Sequence, residues 1–140
     1  LSEILTDIEG YKTDNMNPAY LMTSAAIPKS QRISGIVIDA REHAVDPSMS
    51  PEVIDMKGKL VYGSTSYSRS KAVNRGPVGY AYSMDDRNVG QRVGSNPLFI
   101  EAVGSLDDDV YITSMDAEKV RDAEKSFGVL SNCRVMLLLQ

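Results

Sequence analysis

The chain has 140 residues, of which 42% are hydrophobic, 24% are charged and 6% are aromatic. This composition is that of one globular domain with a modest extension, and it excludes a collagen, a coiled coil and a disordered tail. Fifteen Lys and Arg against nineteen Asp and Glu give a formal net charge of -4, so the sequence offers no basic surface for nucleic acid or anionic lipid.

Residues 1–31 are predicted to form an N-terminal arm, and residues 32–140 a compact domain. Glycine and prolines interrupt the arm, and no strand or helix period organises its polar stretch. Its apolar islands are expected to dock either on the same domain or on a neighbouring domain or subunit. Because the first residue is Leu rather than Met, we expect a processed chain or a fragment.

The compact domain is predicted to begin with a buried strand, because Ile33–Ala40 is a short β-branched run bounded by a charged turn. Glu52–Tyr62 carries Lys57-Gly58-Lys59 at its centre, which is typical of a hairpin. The next predicted elements are a weak helix within 64–74, a strand at 78–83 and a short helix at 85–92, which glycine weakens.

The last third of the chain has the clearest pattern. Strands are predicted at Leu98–Val103 and Val110–Ile112, and a helix begins at the N-cap Ser114 and ends before Gly128. The apolar run Arg134–Leu139 predicts a central strand buried on both faces. Strand, helix and strand in this order predict a βαβ crossover with parallel strands. The predicted fold class is therefore α/β, a mixed sheet with a C-terminal βαβ unit and an N-terminal extended arm.

The turn after the first strand holds the densest set of functional groups, Asp39, Arg41 and His43. Ligands of open α/β sheets bind beyond the carboxyl ends of the strands, so these residues are a candidate site for a small ligand or for hydrolysis. The other interpretation is structural. An Asp at a strand end accepts backbone N–H bonds from the turn, and an Arg two residues on braces it as an ion pair. Bracing is the favoured interpretation, and ligand contact stays open.

The remaining motifs point to no reaction. His43 is the only histidine, so it cannot complete a zinc site of the cell-wall amidase type, which its position after an Asp-terminated strand superficially resembles. Ser68–Lys71 matches the S-x-x-K pattern of penicillin-binding proteins without the companion motifs. Asp107–Asp109 lacks EF-hand spacing and predicts a solvated turn. Cys133, the single cysteine, is predicted to be a core residue rather than a reactive thiol. We expect no enzyme activity, no metal and no cofactor.

Six short motifs occur in an order and spacing that are familiar from a known domain. They are Gly35–Arg41, Pro47–Ile54, Gly58–Gly63, Asn96–Leu98, Tyr111–Ala117 and Cys133–Val135. Together they resemble a domain of bacterial envelope lipoproteins related to the flagellar basal-disk protein FlgP, over roughly residues 33–139. That family usually has Gly-Leu after the Arg, where this chain has Glu42 and His43.

The resemblance implies a non-catalytic module that assembles into rings, discs or other envelope structures, including structures associated with the flagellum. It implies a location in the periplasm or at the outer-membrane periphery, a small α/β module before this chain, and an upstream lipid anchor for peripheral membrane attachment. We therefore expect a homo-oligomer or an envelope protein partner, no nucleic acid and no transmembrane segment in this chain. The predicted contact surfaces are the arm and an exposed strand edge, such as the hairpin Glu52–Tyr62. A small-ligand-binding or hydrolytic domain at Asp39, Arg41 and His43, and a domain that captures a peptide, are the alternatives.

Overall fold

Eight strands and three helices follow one another through residues 32–140, the part of the chain that the computed structural model describes. The strands are β1 (Gly35–Asp39), β2 (Val53–Asp55), β3 (Leu60–Tyr62), β4 (Gly79–Ala81), β5 (Pro97–Glu101), β6 (Gly104–Leu106), β7 (Asp109–Ile112) and β8 (Val135–Leu138). The helices are α1 (Arg69–Arg75), α2 (Arg87–Val93) and α3 (Ser114–Phe127). The predicted arm, residues 1–31, lies outside the described residues.

The strands form two sheets of four. The first sheet has the order β4-β8-β1-β5 and is parallel throughout. The second sheet has the order β3-β2-β7-β6, in which the central pair β2 and β7 is parallel and each outer strand is antiparallel to its neighbour. The predicted α/β class is confirmed, and the second sheet is the mixed one.

The predicted strand, helix and strand at the C-terminus are present as β7, α3 and β8, but the two strands do not pair. β7 lies beside β2 in the second sheet, whereas β8 lies between β4 and β1 in the first. The burial patterns give the reason. All four residues of β8 are buried, which suits a strand covered on both faces, whereas residues of β7 alternate between half-buried and buried. The helix α3 therefore connects two sheets, and the expected crossover within one sheet is wrong.

Local sequence patterns predicted most of the other helices and strands. The hairpin is confirmed, with Val53 opposite Tyr62, and the last helix ends at the left-handed Gly128. Its N-cap is Thr113 rather than Ser114, and the Thr113 hydroxyl accepts a bond from the N–H of Asp116 at 3.1 Å. The strand β6 was not predicted, because Gly104–Leu106 is short and carries small side chains.

The apolar core has two parts, one on each face of the first sheet. On one face, β1, β5 and β8 pack against the second sheet and α3; this cluster includes Ile36, Ile38, Val53, Ile100, Val110, Ile112, Val120, Val135 and Leu137. On the other face, Val37, Met136 and Leu138 pack against Val89 and Val93 of α2. Each such buried aliphatic side chain stabilises the fold by about 1.5–3 kcal/mol relative to exposure.

Gly35 allows α2 to approach the start of β1. A Cβ atom at this position would lie 2.6 Å from both the Cα and the Cβ of Val93. The neighbouring Ser34 hydroxyl donates to the carbonyl of Val93 at 2.6 Å and accepts from the N–H of Asn96 at 2.9 Å. The end of α2 and the start of β1 are therefore in direct contact, and this contact leaves no room for a side chain.

Asp55 is a buried carboxylate, 2% exposed, that fixes the turn between β2 and β3. Its Oδ1 accepts the backbone N–H groups of Lys57 and Lys59, each at 2.9 Å, and its Oδ2 accepts Nη2 of Arg121 at 3.2 Å. The bond from the Lys59 N–H is the main cause that lowers the pKa of Asp55, against the raising effect of burial, and Lys57 and Arg121 lower it further. One carboxylate therefore holds the hairpin turn and ties it to α3.

Alanine substitutions at two glycines test the close packing of α2. We expect Gly35→Ala to destabilise the domain by roughly 1–3 kcal/mol, because the new Cβ overlaps Val93. Gly90→Ala is the matched control, since Gly90 is exposed within α2 and has no atom within 4 Å of the added Cβ. It should stabilise the domain by about 0.5–1 kcal/mol. Urea unfolding measures both, and a Gly35→Ala protein as stable as the wild type would contradict the packing.

The buried carboxylate predicts a pH dependence of stability. Because the folded-state pKa of Asp55 lies below its unfolded value of about 3.9, its stabilisation is present above about pH 4 and is lost as the pH falls through the folded pKa. We expect Asp55→Asn to lower the melting temperature at neutral pH and to reduce its fall on acidification. Thermal unfolding across the acid range checks this, with Asp122→Asn, an exposed position on α3, as the control. An unchanged acid profile in Asp55→Asn would refute the assignment.

Candidate functional site

The sequence-predicted site lies at the carboxyl end of the parallel sheet. Asp39 is the last residue of β1 and is in register with Glu101 of β5 and Leu138 of β8. Because every strand of this sheet runs in the same direction, all the carboxyl ends meet at this edge. This is the edge where open α/β sheets bind ligands.

Asp39 and Arg41 form a two-pronged ion pair. Asp39 Oδ1 accepts the backbone N–H and Nε of Arg41 at 3.1 and 2.9 Å, and Oδ2 accepts Nη2 at 2.8 Å. The side-chain bonds from Arg41 are the main cause that lowers the pKa of Asp39, and the same pair raises the pKa of Arg41. These are the contacts that the bracing interpretation requires. A ligand at this carboxylate would have to displace Arg41.

His43 points to a different place. Its Nε2 lies 3.1 Å from the carbonyl oxygen of Ala102, and because a carbonyl can only accept, Nε2 carries the proton in this contact. His43 lines a groove of about 330 Å³ together with residues 44–47, Tyr82, Leu139 and Gln140. Asp39 and Arg41 do not line this groove, so the structure does not bring the three predicted residues together in one cavity. Ligand contact at these residues stays a prediction.

The other motifs have structural contacts. Ser68 is the N-cap of α1 and accepts the N–H of Lys71 at 3.4 Å, while Lys71 Nζ donates to Oδ1 of Asn132 at 2.6 Å. Cys133 is fully buried. Among the described residues, no three His, Cys, Asp or Glu side chains are grouped so that they could hold a metal ion.

Arg92 is a half-buried cation that the sequence did not single out. It donates to the carbonyls of Arg75, Gly76 and Cys133, the last two at 3.1 and 2.9 Å. Burial lowers the pKa of Arg92. The guanidinium lines a groove of about 390 Å³ between α2 and β4, but its hydrogen bonds are directed at backbone carbonyls. Its role is to join α2 to the end of α1 and to the loop before β8, and no sequence spacing could have shown it, because Cys133 lies 41 positions away.

The second sheet presents an apolar surface to the outside, which we call the outer face. Val53, Val110 and Ile112 point into the core, so the alternating residues of β2 and β7 point outward. The outer face consists of Ile54, Met56, Leu60, Val103, Leu106 and Tyr111. Ile54 and Tyr111 are half-buried, whereas Met56, Leu60, Val103 and Leu106 are 62%, 38%, 46% and 61% exposed. Met56, Val103, Leu106 and Tyr111 line a shallow groove of about 340 Å³.

The far edge of β6 is covered by the chain after His43. The Ser105 hydroxyl donates to the carbonyl of Ala44 at 2.6 Å, and the N–H of Asp46 donates to the carbonyl of Asp107 at 2.9 Å. Strand addition at this edge is therefore obstructed, and the exposed apolar area lies on the face of the sheet. The outer face was not predicted because β6 was not predicted. The available signal was that Ile54 and Tyr111, which alternate with the inward-facing residues of β2 and β7, are themselves apolar.

The described chain is thus an α/β domain of two sheets with an apolar outer face. Residues 35–140 match the family model of the second domain of Treponema pallidum Tp0624, and the chain belongs to this family. The match begins at the first residue of β1 and therefore spans both sheets and all three helices. A search of the curated proteins finds no match. Within residues 32–140, no helix combines the length and the apolar character that a membrane span needs.

A double-mutant cycle tests the bracing pair. We expect Asp39→Ala and Arg41→Ala each to destabilise the domain only slightly, since the pair is partly exposed and solvent screens it. Asp39→Ala should lower the stability more than Arg41→Ala does, because it also removes the acceptor of the Arg41 backbone N–H. The double variant should lose less free energy of unfolding than the sum of the losses of the two single variants, as measured by chemical unfolding. Strictly additive losses would show that the pair does not act as a unit.

Proposed function

We propose that this domain is a non-catalytic assembly module of a bacterial cell-envelope complex, acting through self-association or by binding an envelope protein. The complex lies in the periplasm or at the outer-membrane periphery, and flagellum-associated structures are among the candidates. The motif resemblance to FlgP-related envelope lipoproteins supports this location. That relationship stays a prediction, since the family match is to Tp0624.

The outer face is the single observation that carries the proposal. Isolated exposed apolar side chains are common on proteins, but a contiguous apolar patch marks an interaction surface. Here the patch lies on paired strands, so its backbone is already ordered and little conformational entropy is lost on binding.

The family match supports a modular role. The family takes its name from the second domain of Tp0624, so in that protein the domain is part of a longer chain. Domains that share a chain contact each other through interfaces that resemble transient protein–protein interfaces, and the outer face is suited to such a contact.

The alternative function is small-ligand binding or hydrolysis at Asp39, Arg41 and His43. It has less support, because the Asp39 carboxylate is engaged by Arg41 and neither of them lines the groove that His43 lines. Capture of a peptide by the groove of the outer face is a further alternative, and it uses the same surface as the proposal.

Site-specific photo-crosslinking in the native bacterium tests the proposed function. A photoreactive amino acid replaces Leu106 of the outer face in the full natural protein, and the control carries it at Val73 of α1, which is 76% exposed. We expect adducts from position 106 with this protein itself or with an envelope protein, identified by mass spectrometry. The control should give neither.

Identical background adducts from both positions would contradict the proposal. Adducts of position 106 with cytoplasmic proteins alone would contradict it as well. A specific small-molecule turnover that Asp39→Ala abolishes would favour the hydrolytic alternative.

A further inference from the structure

We propose that the outer face binds the outer face of a second copy of this chain, forming a two-fold symmetric dimer. This inference rests on the proposed function, because it names the partner of the same surface. Charged groups that flank the outer face support a second copy as the partner, because the apolar residues alone would suit many different partners.

Two turns of opposite charge border the outer face. The β2–β3 turn carries Lys57 and Lys59, both exposed, and we call it the basic corner. The β6–β7 turn carries the exposed Asp107 and the half-buried Asp108, and the exposed Asp46 is held beside it by the bond from its N–H to the Asp107 carbonyl. We call these three residues the acidic corner. Within residues 32–140, none of these five side chains forms an ion pair.

The topology places the two corners diagonally across the face. The basic corner follows the carboxyl end of β2, whereas the acidic corner precedes the amino end of β7. Because β2 and β7 are parallel, the corners lie at opposite ends of the sheet. The order β3-β2-β7-β6 also places them on opposite sides of the sheet.

This arrangement is complementary to itself. A two-fold axis that lies between two facing sheets, along the other diagonal, puts each basic corner opposite the acidic corner of the partner. The same operation packs the two apolar centres together. An apolar centre with a complementary charged rim is the usual anatomy of a protein interface, and a two-fold axis requires a patch that fits itself.

The small size of the outer face limits the strength of the contact. Four short strands about 4.8 Å apart form a small patch, at the low end of specific interfaces. We therefore expect a weak, salt-sensitive dimer that forms at high concentration, and whose affinity rises when several copies are held together in a larger assembly.

A charge-swap experiment tests the dimer in the full chain. The acidic variant is Lys57→Glu with Lys59→Glu, and the basic variant is Asp46→Lys with Asp108→Lys. Asp107 is left unchanged, because its φ of 56° disfavours a longer side chain. The control is Arg69→Glu with Arg87→Glu, which changes the net charge as much as the acidic variant does but at exposed first positions of α1 and α2.

Sedimentation velocity over a wide concentration range measures association. We expect the wild type and the control to dimerise, and each swapped variant alone to associate about tenfold or more weakly, because like charges then face each other. An equal mixture of the two variants should recover the heterodimer, since all four corners are then matched. Circular dichroism checks that each variant is folded, and recovery in the mixture itself requires two folded partners.

A wild type that stays monomeric throughout, or a mixture that fails to recover, overturns the dimer. Retained dimerisation of Leu106→Glu overturns it too, because that change places a charge in the apolar centre. A monomeric wild type whose position 106 still crosslinks an envelope protein removes this inference and keeps the proposed function. Loss of both the dimer and the crosslink at position 106 contradicts both this inference and the proposed function.

Discussion

The whole architecture depends on the burial of β1 and β8 on both faces. These strands are apolar without alternation, so neither face can be left to water. The short helix α2 covers one face through Val89 and Val93. The other face needs a larger cover, which α3 and the second sheet provide together. The second sheet uses only its inward side for this task, and its other side becomes the outer face.

The same buried groups that stabilise the second sheet also position its charged corners. Asp55 binds the backbone N–H groups of Lys57 and Lys59, so both lysines are displayed from a turn with a fixed backbone. At the opposite corner, Ser105 and the N–H of Asp46 hold the loop 44–46 against β6 and its turn. The outer face and its charged rim are therefore preorganised, which lowers the entropic cost of contact.

Local chemistry in the sequence predicted the elements better than their arrangement. The glycine at position 58 marked the hairpin, Gly128 marked the end of α3, and the unbroken apolar run marked β8. The two-residue spacing of Asp39 and Arg41 also predicted their ion pair. The order of the elements, however, does not specify which sheet a strand joins. The pairing of β7 with β2 was for this reason not predictable from the sequence around it.

The candidate site was predictable only in part, for a similar reason. His43 leaves the Asp39–Arg41 pair because its ring contacts Ala102, which is 59 positions away. The outer face depends on β6 as well as on β2 and β7, and Gly104–Leu106 carries too little apolar pattern to predict a strand. Contacts over such sequence distances arise from tertiary packing, which no local pattern encodes.

We expect the outer face to be covered when the protein works, and cysteine protection measures this most directly. Cys133 is buried, so a cysteine introduced at Leu106 or Val73 would be the reactive thiol of the described domain. In intact cells, a small maleimide that crosses the outer membrane should modify Val73→Cys and spare Leu106→Cys, although both react in the purified, dilute protein. Equal modification of the two positions in cells would show that the outer face is open in the working protein and would contradict its role as an interface.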